Sequence, residues 1–536
     1  MGTARQISPV SLPGLALQPG RAFVAPHTRA RLRIYPVADL SPFKRSRSSR
    51  MIVLDWTEDS DAALVSIQWS KQMGQSAGSW SATVKPKHTE TGELLELTNQ
   101  AVLDGDWIDL SVLRNGIEIP VMRGVVDSVR EARSSVGGAT SITYTLTGRD
   151  HGAFFEYPIT WSSLWSRTLG ELARGLFTDR VQGSVGGRPD ELFSILITAA
   201  FDSNPSEAAA GNPAGQWVLP TSLASKQVGE RLIDALNVIT FDAVPGTKGL
   251  RGGYYNQPGL WTVGEQDLHS LLTQWANPML NEFWYDLAMP AAFTPPNGLS
   301  RFLSVKNERF ASRLGGQSPT ADVEPFGTMA AFCRERPFPT TDLGLDSMWF
   351  ALPTWRLPTW TLLQTDLGRA GHDRFNLFEL LAEVGLGPKT NQAAYGKPVW
   401  RPRDIEVRGL RALQESTKYV AEGKGGEADW QAERRIWQRI LRDWNAPNPY
   451  LRQGTVVTKL LAPEIRIGQR LILDGGDHGH QEQFYVEGVA GTWRSATSGA
   501  GESSTTTFTV TRGFSGTDAE LVDVTEGLAE LYKEAF

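Results

Sequence analysis

Polar and apolar residues alternate in two widely separated stretches of this chain, and the pattern between them is different. In the first stretch, Ala63-Leu64-Val65-Ser66-Ile67-Gln68-Trp69 alternates at its end, and Ser79-Trp80-Ser81-Ala82-Thr83-Val84 follows Gly78. Residues 107–113 come next, and after Asn115-Gly116 a further run leads to Val125-Val126; residues 141–148 add another. A period of two marks a strand with one buried face. Asn-Gly between alternating runs is the strongest short-range hairpin signal. Five or six short strands in about 100 residues predict a small barrel or sandwich over 51–150. The second β-rich stretch covers 450–515, with strands expected at 454–458, 469–473, 483–489 and 504–510. The two stretches close on similar tetrapeptides, Thr147-Gly148-Arg149-Asp150 and Val510-Thr511-Arg512-Gly513.

Between them the periodicity turns mixed. Over 151–275 it predicts a helix at 162–177, with Leu164, Leu169, Leu172 and Leu176 on one side, a loop at 204–217, a helix at 228–236 and a short strand at 259–263. Over 276–449 it predicts a short helix at 279–287 and an edge strand or extended loop at 349–363, where Pro353 and Pro358 withhold ladder donors. A helix is expected at 427–444. Trp430, Trp437 and Trp444 recur at a spacing that places them on one helix face, and Asn445-Ala446-Pro447 stops the helix. Residues 1–50, rich in Pro and Gly and carrying Lys44-Arg45-Ser46-Arg47-Ser48-Ser49-Arg50, read as an extended arm with little structure of its own. Residues 516–536 read as an acidic, amphipathic C-terminal helix.

A length of 536 residues suits three or four domains, each able to bury a core without staples. The net charge of −6 gives no general pull toward nucleic acid or anionic membrane. No run of ~20 apolar residues is present, so no membrane-spanning segment is expected. Pro9, Pro13 and Pro19 break the apolar N-terminal stretch, which does not read as a signal peptide. Cys333 is the single cysteine, which rules out an intrachain disulfide or thiolate cluster and points to folding in a reducing cytosol. Arg334 and Arg336 beside it would favour a thiolate, but a packing role is the favoured reading. The 18 Trp fit both large cores and contact surfaces with other subunits.

Candidate chemistry is sparse. Asp474-Gly475-Gly476-Asp477-His478-Gly479-His480 has the residue types of a metal or acid–base site, yet it lies between two strand-like runs, where Asp-Gly-Gly reads as an exposed turn. Gly148-Arg149-Asp150-His151-Gly152 groups polar residues, for which a structural Arg149–Asp150 ion pair at a domain boundary is the favoured reading. Phosphate-loop, dinucleotide, zinc-protease, nucleophile-elbow and EF-hand patterns do not occur. A glycosidase pair of carboxylates would come from distant positions, and nothing singles one out. No catalytic, cofactor-binding or metal-ligating residue is assigned, no cofactor is expected, and the chain is not read as an enzyme.

The ordered series 61–69, 79–84, 103–110, 122–127 and Leu146-Thr147-Gly148-Arg149-Asp150 resembles the opening module of bacteriophage baseplate hub proteins, with the late-control tail proteins and the hubs of phage-like injection systems as relatives. Arg334-Glu335-Arg336-Pro337-Phe338 with 367–378, and 463–471 with 484–489 and 507–513, agree with it. The 1–50 arm, the Trp-rich centre and the loop near Asn204 have no match in that pattern, and no fused lysozyme segment is seen. The fold class implied is α+β, predominantly β: two tail-tube-like β-barrel modules (51–150 and 450–515) with mixed α/β insertions, 276–449 contributing to the hub periphery and second barrel. The resemblance further implies a homotrimer forming a pseudo-hexameric ring between a sixfold tail tube and a threefold spike. Its implied partners are the tail tube protein, the spike protein and other baseplate proteins. DNA would transit the lumen without specific binding. The implied location is the virion tail baseplate, assembled in the host cytoplasm. Two alternatives stand beside it: a carbohydrate- or receptor-binding tail protein using exposed Trp, and a cell-wall hydrolase using unrecognised carboxylates.

Overall fold

The computed structural model describes residues 10–11, 28–37, 50–55, 62–86, 102–114, 116–136, 139–156, 197, 217–220, 223, 232–240, 254–255, 267–276, 278–289, 327–337, 349, 352–369, 371–382, 398–417, 419–420, 427–474, 481–496 and 502–534. The helix expected at 162–177, the loop at 204–216, the strand at 259–263 and the run 475–480 lie outside them.

After a two-residue strand, β1 (Val10–Ser11), seven strands follow: β2 (Thr28–Tyr35), β3 (Ile52–Asp55), β4 (Ala62–Gln72), β5 (Ser79–Pro86), β6 (Trp107–Arg114), β7 (Ile117–Val136) and β8 (Ala139–Asp150). Their ladders run β4-β3-β2-β6-β7-β8-β5 and return from β5 to β4, so the seven close into a barrel. The β3–β4 seam is parallel and short, Leu54↔Ala62 and Asp55↔Ala63. Arg114 of β6 pairs with Ile117 of β7, as the hairpin signal predicts, and Gly116 between them has a positive φ of 82°. Alternation fills the interior with Leu32, Ile34, Leu64, Ile67, Trp69, Leu110, Val112, Met122 and Leu146.

The arm expected over 1–50 is corrected here. Thr28–Tyr35 is a barrel strand paired along its full length with β6, Thr28↔Arg114 to Tyr35↔Trp107. Its inward positions are Thr28, Ala30, Leu32 and Ile34, while Arg29, Arg31 and Arg33 face out. The Pro- and Gly-rich composition of 1–50 hid this strand, whose Arg29, Arg31 and Arg33 form the solvent-side half of an alternating pattern.

The middle of the chain contributes a one-turn helix α1 (Leu232–Ala235), β9 (Leu236–Thr240), β10 (Tyr254–Tyr255), α2 (Leu268–Trp275), β11 (Asn281–Ala288) and β12 (Thr328–Glu335). The order β11-β12-β9 forms one small sheet. Residues 279–287 are therefore mostly strand, not the predicted helix. All eight positions of β11 are buried and each pairs with β12, so cross-strand packing overrides the helical look of a short apolar run. The helix expected at 228–236 is cut at Ala235 because Leu236 onward pairs in parallel with Met329–Cys333.

Next come β13 (Thr354–Pro358), β14 (Leu362–Gly368), β15 (Leu377–Ala382), β16 (Val399–Trp400), α3 (Pro402–Arg408), β17 (Ala412–Thr417), β18 (Tyr419–Val420) and α4 (Glu427–Asn445). On α4, Trp437 and Trp444 are buried, as their spacing requires. The chain ends with β19 (Arg452–Thr458), β20 (Arg470–Asp474), β21 (Glu482–Arg494), β22 (Ser503–Ser515), α5 (Asp518–Ala529) and β23 (Lys533–Glu534). A reciprocal cap between Thr517 and Glu520 opens α5.

The second module runs β14-β19-β22-β21-β20-β13-β1 around a core of Trp355, Leu357, Val456, Ile465, Leu471, Phe484, Val486 and Phe508. Among the described residues no ladder joins β13 to β14, so this sheet is open there. Its link to the barrel is β21. One edge of this 13-residue strand pairs with β22; on the other, Glu482–Tyr485 pair with β20 and Gly488–Arg494 pair with Ser66–Gln72 of β4. A single hydrogen-bonded sheet of 14 strands thus passes through both modules.

Candidate functional site: the buried ionic joint between the modules

Where β4 leaves the barrel ladder for β21, its inward positions continue past Ile67 and Trp69 to Lys71, a charged residue in an apolar register. The ammonium is almost fully buried. It lies 3.0 Å from Asp150 Oδ2, at the end of β8, and donates to Asp286 Oδ1 of β11 at 2.9 Å. Asp286 Oδ1 also accepts from Arg466 Nη1 at 2.9 Å and from the Leu287 N–H at 2.8 Å. Arg466 sits in the loop before β20, and its guanidinium reaches back to donate to the Val121 and Pro120 carbonyls of the barrel. Two cations and two carboxylates therefore meet out of water at the meeting point of barrel, middle sheet and second module. Burial by itself would raise the Asp286 carboxyl pKa, but Arg466 and then Lys71 outweigh it and hold the group below its ordinary value.

Two further buried pairs flank this centre. Arg114, last residue of β6, pairs with Glu464 and also donates to the Leu461 carbonyl, locking the barrel to the loop before β20. Arg334 of β12 donates to Glu282 Oε1 at 2.5 Å, to the Gly468 carbonyl at 2.7 Å and to the Tyr485 hydroxyl at 2.8 Å, with its guanidinium 4.8 Å from the Trp284 ring centre. Tyr485 in turn donates to Glu282 Oε1 at 2.6 Å. Removing one member of such a pair leaves its partner charged and unsolvated, which costs far more than the pair itself contributes.

The described residues among those singled out in the sequence have structural partners. Arg149 and Asp150 do not pair with each other. Arg149 donates to both oxygens of Asp127, at 2.8 and 3.0 Å, and pairs with Glu156, whereas Asp150 turns inward to Lys71. Adjacent strand residues point to opposite faces, which is why the two separate. His151 is fully buried, its Nε2 3.1 Å from the Ala330 carbonyl, and burial lowers its pKa. Of the run 474–480 only Asp474 is described. It pairs with Arg356 at 3.1 Å, and its pKa is raised by partial burial against the pull of that arginine. Cys333 is fully buried opposite Phe283, in keeping with a packing role. Trp107, Trp349, Trp355, Trp437 and Trp493 are fully buried, while Trp217 and Trp360 are exposed. Among the described residues no group of three or more His, Cys, Asp or Glu is arranged to hold a metal ion, and no helix is long and apolar enough to cross a membrane.

The joint itself was not assigned from sequence. Its signal was present in part: Lys71 interrupts an apolar alternation at an inward position. What no local pattern reveals is that Asp286, at a separation of 215 residues from Lys71 and 180 from Arg466, is their common partner.

No family model matches the chain, and no curated protein matches it. Solved structures do resemble it over most of its length. A tail protein from Neisseria meningitidis MC58 is 13% identical, with a TM-score of 0.42, covering 90% of this chain and 96% of its own. The tail protein of prophage MuSo2 from Shewanella oneidensis is 12% identical, with a TM-score of 0.40, covering 91% of this chain and 97% of its own. An Escherichia coli component of the type VI secretion system is 9% identical, with a TM-score of 0.33, covering 85% of this chain and 74% of its own.

Proposed function

We propose that this chain is a structural hub of the tail or baseplate of a phage or phage-like particle. In this reading it assembles as a homotrimer whose paired β modules form a pseudo-hexameric ring joining a sixfold tail tube to a threefold spike. The observation that carries the reading is the single sheet running through both modules, clamped by the buried pairs of Lys71, Arg466 and Arg114. An adaptor that transmits force needs its two ring-forming modules in a fixed mutual orientation. A shared strand and desolvated ion pairs provide that better than a linker would. Three copies of a two-module chain supply six ring units, which removes the mismatch between sixfold and threefold neighbours. The net charge of −6 suits a channel through which DNA passes without being held, since Lys and Arg contacts would retain phosphates. The partners on this reading are the tail tube protein, the spike and other baseplate proteins, on a virion tail assembled in the host cytoplasm. The role is structural: the buried carboxylates of the joint are each matched by a cation. The sugar-binding alternative loses its main support, because most of the described Trp pack in cores.

Light scattering with class averages of the purified protein, alone and mixed with the particle's spike and tube proteins, tests this. The expected result is a particle of three chain masses with a central channel. A monomer that stays monomeric in the presence of both partners would overturn the reading.

A further inference from the structure

The strand β22 contains the one non-glycine residue with a positive φ among the described residues, Arg512 at 54°. The ladders explain how it arises. Arg452↔Gly513 is followed by Gly454↔Val510, so Thr511 and Arg512 together oppose the single Gln453. The other edge shows the same irregularity, with Gln483↔Phe514 followed by Tyr485↔Thr511. Arg512 is thus the extra residue of a bulge, in a backbone state that favours glycine. Bulges of this kind turn a side chain out of its strand register. Here the guanidinium is turned onto Trp444, with its carbon 3.3 Å from the ring centre.

Arg512 is only 6% exposed, and among the described residues it makes no hydrogen bond or ion pair; its Nε is buried with no acceptor. Among the described residues no carboxylate pairs with it directly. Arg452 is matched by Glu482. Arg336 lies 5.1 Å from the same indole and donates to the Pro278 carbonyl. Glu487, the carboxylate on this side, accepts from the Thr511 hydroxyl at 2.9 Å. Beside the guanidinium a cleft of about 160 Å³ is lined by Trp444, Asn448, Gln453, Thr511, Arg512 and the Glu487 carboxylate. Burial, partly offset by Glu487 and reinforced by Arg336, lowers the guanidinium pKa to about 9, so the group is still a cation at neutral pH. A strained backbone, a desolvated cation with no carboxylate paired to it among the described residues, and an adjoining polar cleft together describe half of an ion pair.

We propose that this cleft binds a carboxylate, received by the Arg512 guanidinium against the face of Trp444 with the Asn448 amide as donor from the cleft wall. With Glu487 balancing one of the two guanidiniums on Trp444, Arg336 and Arg512, one positive charge is left over; a planar monoanion matches it and the fork geometry of arginine, and the cleft has room for one such group rather than for a bulky ligand. The carboxylate comes either from a small free acid or from an acidic side chain of a bound polypeptide.

Saturation-transfer NMR on the full-length protein with acetate as probe tests the site. Saturation of the acetate methyl signal is expected with the wild-type protein and at least a tenfold weaker affinity with Arg512→Gly, a change that suits the backbone at this φ. Asn448→Leu, which fills the cleft and leaves Arg512 in place, is expected to abolish the signal as well. Circular dichroism confirms that each variant is folded. Inorganic phosphate is expected to compete more weakly than acetate. A blocked aspartyl peptide that displaces acetate assigns the source to a polypeptide, and one that does not assigns it to a free acid; both keep the site. No saturation with the wild-type protein, equal saturation in folded Arg512→Gly and Asn448→Leu, or tighter binding of phosphate than acetate would overturn the proposal.

Discussion

Asp286 is the residue on which the joint turns, because one of its oxygens receives both the Lys71 ammonium and the Arg466 guanidinium. Asp286→Ala leaves two buried cations with only Asp150 between them, and a loss of about 3–5 kcal/mol is expected, measured by urea unfolding. The pH dependence follows from the same groups. Asp286 has a folded pKa below its ordinary 3.8, so its contribution is complete above that value and is lost as pH falls through the folded pKa. His151 is also depressed, from an ordinary 6.5, by burial above all. The unfolded chain therefore takes up a proton there before the folded one does. Its contribution is complete above pH 6.5 and declines as pH falls toward the folded pKa, by up to about 1.4 kcal/mol per pH unit. His151→Gln is expected to flatten the stability profile between pH 6.5 and 5 by up to that slope, with the remaining fall in this window assigned to other depressed groups such as His269. An unchanged slope would mean that His151 is not the neutral buried imidazole described.

At the scale of elements, the barrel and second sheet are tied by a row of side chains across four strands. Gly491 of β21 faces Trp69 of β4, Trp69 faces Trp80 of β5, and Trp80 faces Gly148 of β8. Each indole lies over the glycine beside it. A Cβ built on Gly491 would come within 2.0 Å of the Trp69 ring, and one on Gly148 within 2.7 Å of the Trp80 ring and 2.0 Å of the Val125 carbonyl. These glycines are required by close approach, and covering them with aromatic rings restores the packing they lack. Gly491→Ala and Gly148→Ala are each expected to destabilise by about 1–3 kcal/mol. Gly527 in α5 is the control: nothing stands within 4 Å of its added Cβ, and Gly527→Ala is expected to stabilise by about 0.5–1 kcal/mol. Thermal unfolding of the three variants side by side separates the two effects by sign.

For the whole molecule, the consequence of a shared sheet is cooperativity. The seven β4–β21 pairings and the buried ion pairs mean that neither module can open without breaking the joint. Calorimetry is expected to show both modules unfolding in one transition; two well-separated transitions would mean that the joint does not couple them. Arg114–Glu464 offers a sharper check, since it spans 350 residues of sequence. Arg114→Met strands a fully buried Glu464 and is expected to cost about 3–5 kcal/mol, whereas Arg114→Met combined with Glu464→Leu recovers most of that, because apolar replacement removes the unpaired charge. If the double variant is as unstable as the single, the Leu461 carbonyl that Arg114 also caps matters more than the ion pair.

Most of the barrel was legible in the local pattern of the chain. Period-two alternation, Asn115-Gly116 and the similar closing tetrapeptides are local signals, and the strands Ala62–Gln72, Ser79–Pro86, Trp107–Arg114 and Ala139–Asp150 lie where those signals put them. The Trp437 and Trp444 face of α4 was readable for the same reason, since a helix buries what its period aligns. Tertiary structure decided the rest. Thr28–Tyr35 became a barrel strand because β6 offered a partner, although the Pro- and Gly-rich stretch around it read as an extended arm. Asn281–Ala288 became a strand because β12 paired with it, although a short apolar run has no period long enough to choose. The joint, and the bulge that carries Arg512, depend on which residues distant in sequence end up opposite one another. Pairing and desolvation are properties of assembled strands, and no single segment encodes them.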